Sequence, residues 1–479
     1  MTDLKTIREA IMEAIPYTSA NYGESPDQRT IYVPPAHLKA LRLECNLVVG
    51  ARGVGKSFWT AALNSQDLRT VLGNSMGELI HTEVRVGFSV DAKLDAYPNA
   101  DVFAGLLKNN YTPYEIWQAV VLRWLASVTH TEIPTENWQA STEWVKRNPE
   151  PLAKLMERAD QHFRAIRKKG LIVFDALDRS SHEWQIMDNI VRDLLRVSLW
   201  LKSYPSLHAK VFLREDQVER TVTNFPDASK LLATRAELTW QPHDLHGLLW
   251  QLLCNAPDGH GQTLRDVYTQ GFGKPPATRN GAWFLDDAIK REGPKQRALF
   301  EWLAGPWMGK GPKRGVPYVW SVSHLADGRG RTSPRSFLVA IRAAAEHSLE
   351  KYPDYAYALH YECIKQGVQQ ASSIRISEMA EDYPWINRLL DPLRGLTVPC
   401  ELSDIEGRWH KDPQANLWDL PSEKLPPQHR DDDWTGIRTE LERLGIFETM
   451  KDGRINMPDL YRVGFGLGRR GGVKPAIRH

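Results

Sequence analysis

Gly50-Ala51-Arg52-Gly53-Val54-Gly55-Lys56-Ser57 combines three glycines, a lysine and a hydroxyl in the G-x-x-x-x-G-K-S spacing of a phosphate-binding loop. Glycine lets the backbone turn successive N–H groups inward around phosphate oxygens. Lys56 is spaced to reach the β- and γ-phosphates, and the Ser57 hydroxyl to ligate Mg²⁺. The expected phosphate-binding set is Gly50, Arg52, Gly53, Val54, Gly55, Lys56, Ser57 and Phe58, with ATP and Mg²⁺ as ligands. A second carboxyl-bearing run, Gly170-Leu171-Ile172-Val173-Phe174-Asp175, has the form of a buried strand that delivers an acid to a sheet edge. Asp175 is thus the expected second metal ligand beside Ser57. Asp178 is spaced to polarise an attacking water, although Asp-Arg-Ser-Ser also makes a good turn. The strand Ala209–Leu213 ends at Arg214, the candidate sensor of a γ-phosphate, ahead of Glu215 and Asp216; an ordinary surface arginine is the competing reading.

These residues need elements to hold them. Asn46–Val49 reads as a buried strand ahead of the loop, and the residues from Phe58 onward as a helix. The separation between Lys56 and Asp175 is too long for one βαβ step. It contains a strand, Glu83–Val90, and helical stretches from Pro113 to Ser127 and from about Pro151 to Lys168. That places an extra strand between the two motifs in sequence and argues against a simple nucleotide kinase. Ile186, Ile190, Leu194, Val197 and Leu201 form one face of an amphipathic helix. Ala236–Trp240 is a fifth strand and Asp244–Cys254 a helix, so the pattern predicts an α/β fold with a parallel sheet flanked by helices.

Three stretches in this order, Gly50–Ser57, Leu171–Arg179 and Lys210–Arg214, resemble the AAA+-related phosphate-loop ATPases called STAND and KAP. Val173-Phe174-Asp175-Ala176-Leu177-Asp178-Arg179 is similar to the KAP Asp-Asp-Leu-Asp-Arg pattern and to the NACHT pattern Asp-Gly-Leu-Asp-Glu. The chain lacks the membrane segments common in KAP proteins and carries Arg179 where NACHT proteins have Glu. The resemblance covers roughly residues 30–260. It implies an ATP-driven switch that self-assembles and, in bacterial members, often serves antiviral defence; no nuclease, protease or deaminase constellation stands out in the chain, so a defence role calls for a separate effector protein. It also implies a lid helix that sends an arginine to the γ-phosphate. Arg335 matches that position, with Arg331 competing, either in the same subunit or in a neighbour's site.

The remaining chain is read from local signals. Residues 256–281, rich in Gly, Pro, Asn and Asp, read as a loop or junction. Gly305–Gly315 is a basic, glycine-punctuated loop, read foremost as solvated and otherwise as a contact for nucleic-acid or nucleotide phosphates. Ser333 and Pro334 start a helix that buries Phe337, Leu338, Ile341, Ala344 and Ala345 and leaves Arg335 and Arg342 elsewhere. Trp434–Leu444 followed by strands around Asp452-Gly453 predicts a winged helix, which binds DNA or acts as an intramolecular latch. The stretch from Leu460, with Arg462, Arg469, Arg470, Lys474 and Arg478 and no acid, suits contact with nucleic-acid phosphates and, as the favoured reading, a solvated basic tail. Expected divisions are 1–30 (helical), 31–255 (ATPase core), 256–350 (helical lid) and 351–479 (linker, winged helix and tail).

Bulk properties narrow the field. With 61 Lys and Arg against 59 Asp and Glu, no global field favours nucleic acid or membrane. No apolar run approaches the ~18 residues of a membrane span. The four cysteines are widely separated, which fits a reducing cytoplasm. The N-terminus does not read as a signal peptide. The leading expectation is therefore a nucleotide-controlled, homo-oligomeric ATPase switch. The rivals are a nucleic-acid-dependent loader or remodeller and a scaffold that binds nucleotide without turnover.

Overall fold

The computed structural model describes residues 3–16, 26–91, 93–181, 183–218, 221–279, 281–416, 419–420, 425–471 and 473–475. The chain forms two compact units. One comprises Ala20–Gln28 and Val33–Thr239; the other comprises Met1–Ser19, Arg29–Tyr32 and Trp240–His479. The helix Pro242–Cys254, expected to end the ATPase core, is counted with the second unit.

The first unit is built on β1 (Leu47–Val49), β2 (Thr82–Phe88), β3 (Lys169–Phe174), β4 (Leu207–Leu213) and β5 (Ala236–Glu237). They form one parallel sheet in the order β2-β3-β4-β1-β5. The short apolar runs read as strands because both faces are covered: Leu171, Ile172, Val173 and Phe174 are all fully buried. The expected extra strand is present: β2 lies between the two motifs in sequence. The strand that follows the phosphate loop in sequence, β2, lies at the sheet edge. The strand inserted in space between β1 and β3 is β4, with Val173 opposite Lys210 and Val48 opposite Phe212. β5 is shorter than Ala236–Trp240. After Glu237 the Leu238 amide still bonds to Val49 O, but Thr239 O turns to His37 and Pro242 begins a helix.

The β2–β3 connection holds four helices, Ala100–Lys108, Pro113–Val128, Trp138–Arg147 and Pro149–Ala165, two more than the sequence pattern suggested. Trp117, fully buried, ties this layer to the sheet. Its ring meets those of Phe88, Phe103 and Phe174 at centroid distances of 5.8, 5.1 and 5.5 Å, and its Nε1–H donates to Ile190 O at 2.9 Å. Of the predicted face on helix Trp184–Leu201, Ile190, Leu194, Val197 and Leu201 are buried, while Ile186 is half-buried beside a buried Met187. Lys210 is an exception to the apolar strand rule. Fully buried on β4, it donates to Ala40 O, Arg42 O and Cys45 O at 2.7, 2.9 and 2.6 Å, so it closes the C-terminal end of helix Pro35–Leu41. Burial, only partly opposed by Glu78 and Glu44, pushes its ammonium down to about 8.

In the second unit, helix Leu4–Ala14 packs on helices Asp258–Phe272 and Pro334–Lys351. Residues 256–281 are therefore not a loop. Leu264, Val267 and Tyr268 give the segment a buried helical face that outweighs its glycines, and Gly273 ends it in the left-handed region. β6 (Ala277–Arg279) and β7 (Ala282–Phe284) then form a hairpin. Ser333 caps helix Pro334–Lys351 through the Ser336 amide, as expected, with Leu338 half-buried rather than buried. Arg342 donates to the carbonyls of Met12 and Ile15 at the end of the first helix.

The C-terminal residues form the winged-helix pattern. Helices Leu402–Trp409 and Asp433–Arg443 precede β8 (Glu448–Thr449) and β9 (Ile455–Asn456), which pair around Asp452-Gly453; Cys400 makes an isolated bridge to Ile455. The solvated tail expected from Leu460 is corrected. Asp459–Phe465 is a helix whose Leu460, Tyr461, Val463 and Phe465 are buried. Arg462, fully buried, pairs with Asp459 at 2.7 Å and donates to Leu467 O and Val473 O. It is therefore withdrawn from any phosphate contact. Arg469, Arg470 and Lys474 remain exposed, and Arg478 lies outside the described residues. Among the described residues, no helix is long and apolar enough to cross a membrane.

Candidate functional site

The phosphate loop leaves β1 at Gly50. That position has no room for a side chain: a Cβ there would lie 2.7 Å from Val54 Cγ2 and 3.3 Å from Leu238 Cβ. Gly53 and Gly55 take φ of 81° and 104°, a conformation in which a Cβ would be strained. Helix Lys56–Asn64 follows directly and has no side-chain cap, so its first amides are left for a ligand.

Lys56 turns back over this loop. Its ammonium donates to Gly50 O and Ala51 O, each at 2.9 Å. Desolvation lowers it to about 8, opposed by Asp175 and Asp178 and reinforced by Arg214. Ser57 is exposed at the loop's rim, with its hydroxyl on the side of Asp175. Asp175 is 2% exposed just past β3, held by its own amide bonded to Phe88 O. Burial raises its pKa, while the Ser57 hydroxyl and the Lys56 ammonium pull it down. Ala176 at φ 55° turns the chain into the short 3₁₀ turn Leu177–Arg179, which sets Asp178 at the site's rim.

Arg214 leaves β4 between these groups, 8% exposed. Its Nε donates to Asp216 at 3.1 Å and its Nη1 lies 3.9 Å from Asp178 Oδ2, while its amide donates to Gln217 Oε1. The ends of three neighbouring strands thus converge: the phosphate loop after β1, Arg214 after β4 and Asp175 after β3. Ligands of open α/β sheets bind at such carboxyl ends. The surface-arginine reading of Arg214 does not survive its burial.

The residues present fit a nucleoside triphosphate with a divalent cation. An uncapped helix start, two left-handed glycines and an ammonium hydrogen-bonded to loop carbonyls suit phosphate oxygens. The Ser57–Asp175 pair suits a cation beside them. Val54 is buried, Arg52 is half-buried, and Phe58 sets its ring edge-on to Trp59 at 5.1 Å. Asp216, weighed in the sequence only as a lesser sensor candidate, instead pairs with Arg214, and His37 was not singled out in the sequence. Trp59 Nε1–H donates to His37 Nδ1 at 3.1 Å, so His37 Nε2–H donates to Thr239 O at 3.1 Å. This chain fixes the loop's helix to the segment after β5, and nothing in the spacing of these residues announces it. In the second unit, Arg335 donates to Glu378 at 2.6 Å and Arg331 pairs with Asp327 at 3.5 Å.

No family model matches the chain, and no curated protein matches it. Among solved structures, the chain is similar to the ORC2 protein of Aeropyrum pernix in its ADPNP–ADP complexes, at 12% identity and TM-score 0.40, over 87% of this chain and 84% of that one. The ADP form of the same protein matches at 12% identity and TM-score 0.30, over 90% and 92%. The phosphate-loop α/β assignment rests on this chain's own strand order and on the groups gathered at its edge.

Proposed function

We propose that this protein is an ATP-binding and ATP-hydrolysing switch of the AAA+-related phosphate-loop class, assembling in a nucleotide-dependent way. The observation that carries the reading is the convergence of Lys56 and Ser57, Asp175, and the Arg214–Asp178 pair on one sheet edge. Lys56 exchanges the Gly50 and Ala51 carbonyls for β- and γ-phosphate oxygens. Ser57 and Asp175 hold Mg²⁺, which supplies charge neutralisation at the phosphates when bound. Asp178 accepts a proton from the attacking water, and Arg214 orients it and bears on the γ-phosphate. Arg335 is proposed as a second reader of the γ-phosphate, within the subunit or from a neighbour.

The experiment is phosphate release by wild type, Lys56→Ala and Asp178→Asn. Turnover in wild type with loss in both variants supports the reading; a Lys56→Ala protein that hydrolyses like wild type refutes it. Size measurement with and without an ATP analogue tests assembly, and an unchanged monomer in both refutes that part. The narrower STAND/KAP reading, with a cytoplasmic part in antiviral defence beside a separate effector, draws its support from the Val173–Arg179 pattern. Pull-down of a specific effector in the ATP-bound state tests it. A nucleic-acid-dependent ATPase is the second reading, favoured by exposed cations in the second unit.

A further inference from the structure

Between Glu301 and Asp327 the chain has no acid, yet it carries Lys310, Lys313 and Arg314. All three are exposed, and none makes an ion pair among the described residues. Their loop is a defined lobe. Met308 N bonds to Gly315 O at 2.9 Å to close its neck, Met308 itself is 2% exposed and anchors it, and a 3₁₀ turn at Pro312–Arg314 shapes the tip. Isolated surface lysines are ordinary; three unpaired cations on a closed lobe are a concentrated positive field. The flanking helices, Gly293–Ala304 and Pro317–Ser323, pack on each other and expose Trp302 (50%) and Val319 (58%).

A chain of contacts links the lobe to the C-terminal basic residues. Gly315 adjoins Trp320 Cδ1, at 3.4 Å from its Cβ position, and the Trp320 ring packs tilted against His324 at 4.0 Å. His324 Nδ1 meets Asp459 at 2.7 Å, and Asp459 faces Arg462 at 2.7 Å and Arg469 at 3.6 Å. The single acid in this chain of contacts is 3% exposed and is outnumbered by its two arginines. Arg470 follows, exposed.

The winged helix itself is a poorer polyanion reader. Helix-turn-helix proteins read bases with the N-terminal residues of the recognition helix. Here Asp431, Asp432 and Asp433 lie exposed at the start of helix Asp433–Arg443. Arg438 and Arg454 are paired with Glu442 and Asp452.

We infer that the Met308–Gly315 lobe, with the Arg469–Arg470 segment, is a docking surface for the sugar–phosphate backbone of nucleic acid. It is distinct from the nucleotide site, and Trp302 offers an aromatic face to an unstacked base. Separate cations on a lobe match phosphates spaced along a strand, and Lys310, Lys313 and Arg314, with no acid between Glu301 and Asp327 and no ion pair among the described residues, keep their charge available.

The test is fluorescence anisotropy of the full chain with a labelled DNA duplex and, separately, its single strand, across a salt series. Wild type binds, and Lys310→Glu/Lys313→Glu/Arg314→Glu weakens binding by roughly tenfold or more while the slope of log K against log salt shrinks by about 2.7, three phosphate contacts' worth. Tighter binding of the single strand, reduced by Trp302→Ala, shows stacking. Arg438→Ala/Arg454→Ala leaves affinity unchanged. Equal binding by wild type and the triple variant overturns the inference, as does loss in the Arg438/Arg454 variant alone, which returns the role to the winged helix. Wild type that binds neither DNA, with the triple variant instead lowering concentration-dependent phosphate release, also overturns it and gives the lobe to a neighbour's ATP. Lys56→Ala retains DNA binding, so failure of the ATPase reading is told apart from failure of this one.

Discussion

ATP affinity should fall with rising pH through Lys56 alone. In the nucleotide-free protein its ammonium is surrounded by protein and bonded only to Gly50 O and Ala51 O, which lowers it from 10.5 to about 8. The charged groups facing it are Asp175, Asp178, Asp216 and Arg214, and they do not offset burial. Bound triphosphate restores the charged form to at least its ordinary range. Binding therefore requires a protonated Lys56, and above about pH 8 the free protein must take up a proton to bind. From about pH 7 to about pH 9.5 this linkage weakens binding by about thirtyfold, or about 2 kcal/mol. For the nucleotide-free protein the sign is opposite: a lowered lysine makes folding more favourable as pH rises from about 8 towards 10.5. The assay is titration of a fluorescent ATP analogue with Mg²⁺ at each pH, with calorimetry in two buffers of different ionisation enthalpy to count protons. Lys56→Met should bind weakly and without pH dependence. A wild-type affinity that is flat over this range, or binding without proton uptake near pH 8.5, refutes the argument.

Gly50→Ala should keep the fold but lower nucleotide affinity by about tenfold or more, since its Cβ displaces Val54 and the loop with it; circular dichroism and nucleotide titration read the two effects. Arg8, fully buried, donates to the carbonyls of Ala358, Pro353, Tyr352 and Tyr357, so Arg8→Ala should cost about 3–5 kcal/mol in urea unfolding by leaving those carbonyls unpaired. His37 and His246 are buried neutral, lowered by desolvation to about 4 and about 3. Their stability contribution is present above pH 6.5 and lost as pH falls towards those values, about 3–5 kcal/mol each, and a denaturation series in which His246→Phe shows the same acid loss as wild type would contradict it.

Much of the site was legible because its chemistry is local. The phosphate loop needs consecutive residues, and a strand ending in Asp175 or Arg214 announces itself by an apolar run. Helix Asp258–Phe272 was not legible in the same way. Its glycines signal a loop, and only the surfaces that cover Leu264, Val267 and Tyr268 reverse that reading. Likewise Arg462 and Lys210 look like solvent-facing cations until the backbone carbonyls around them are known.

By itself, then, the amino-acid order determined the phosphate loop, its flanking strand and helix, and the identity of the acids and the arginine that surround it. The tertiary structure decided which strand stands between β1 and β3. Strand order depends on how distant segments pair, and hydrogen bonds along a buried sheet carry no residue code. That pairing places Arg214 beside Asp178 and above Lys56, and makes a single charged site from residues that the chain keeps far apart.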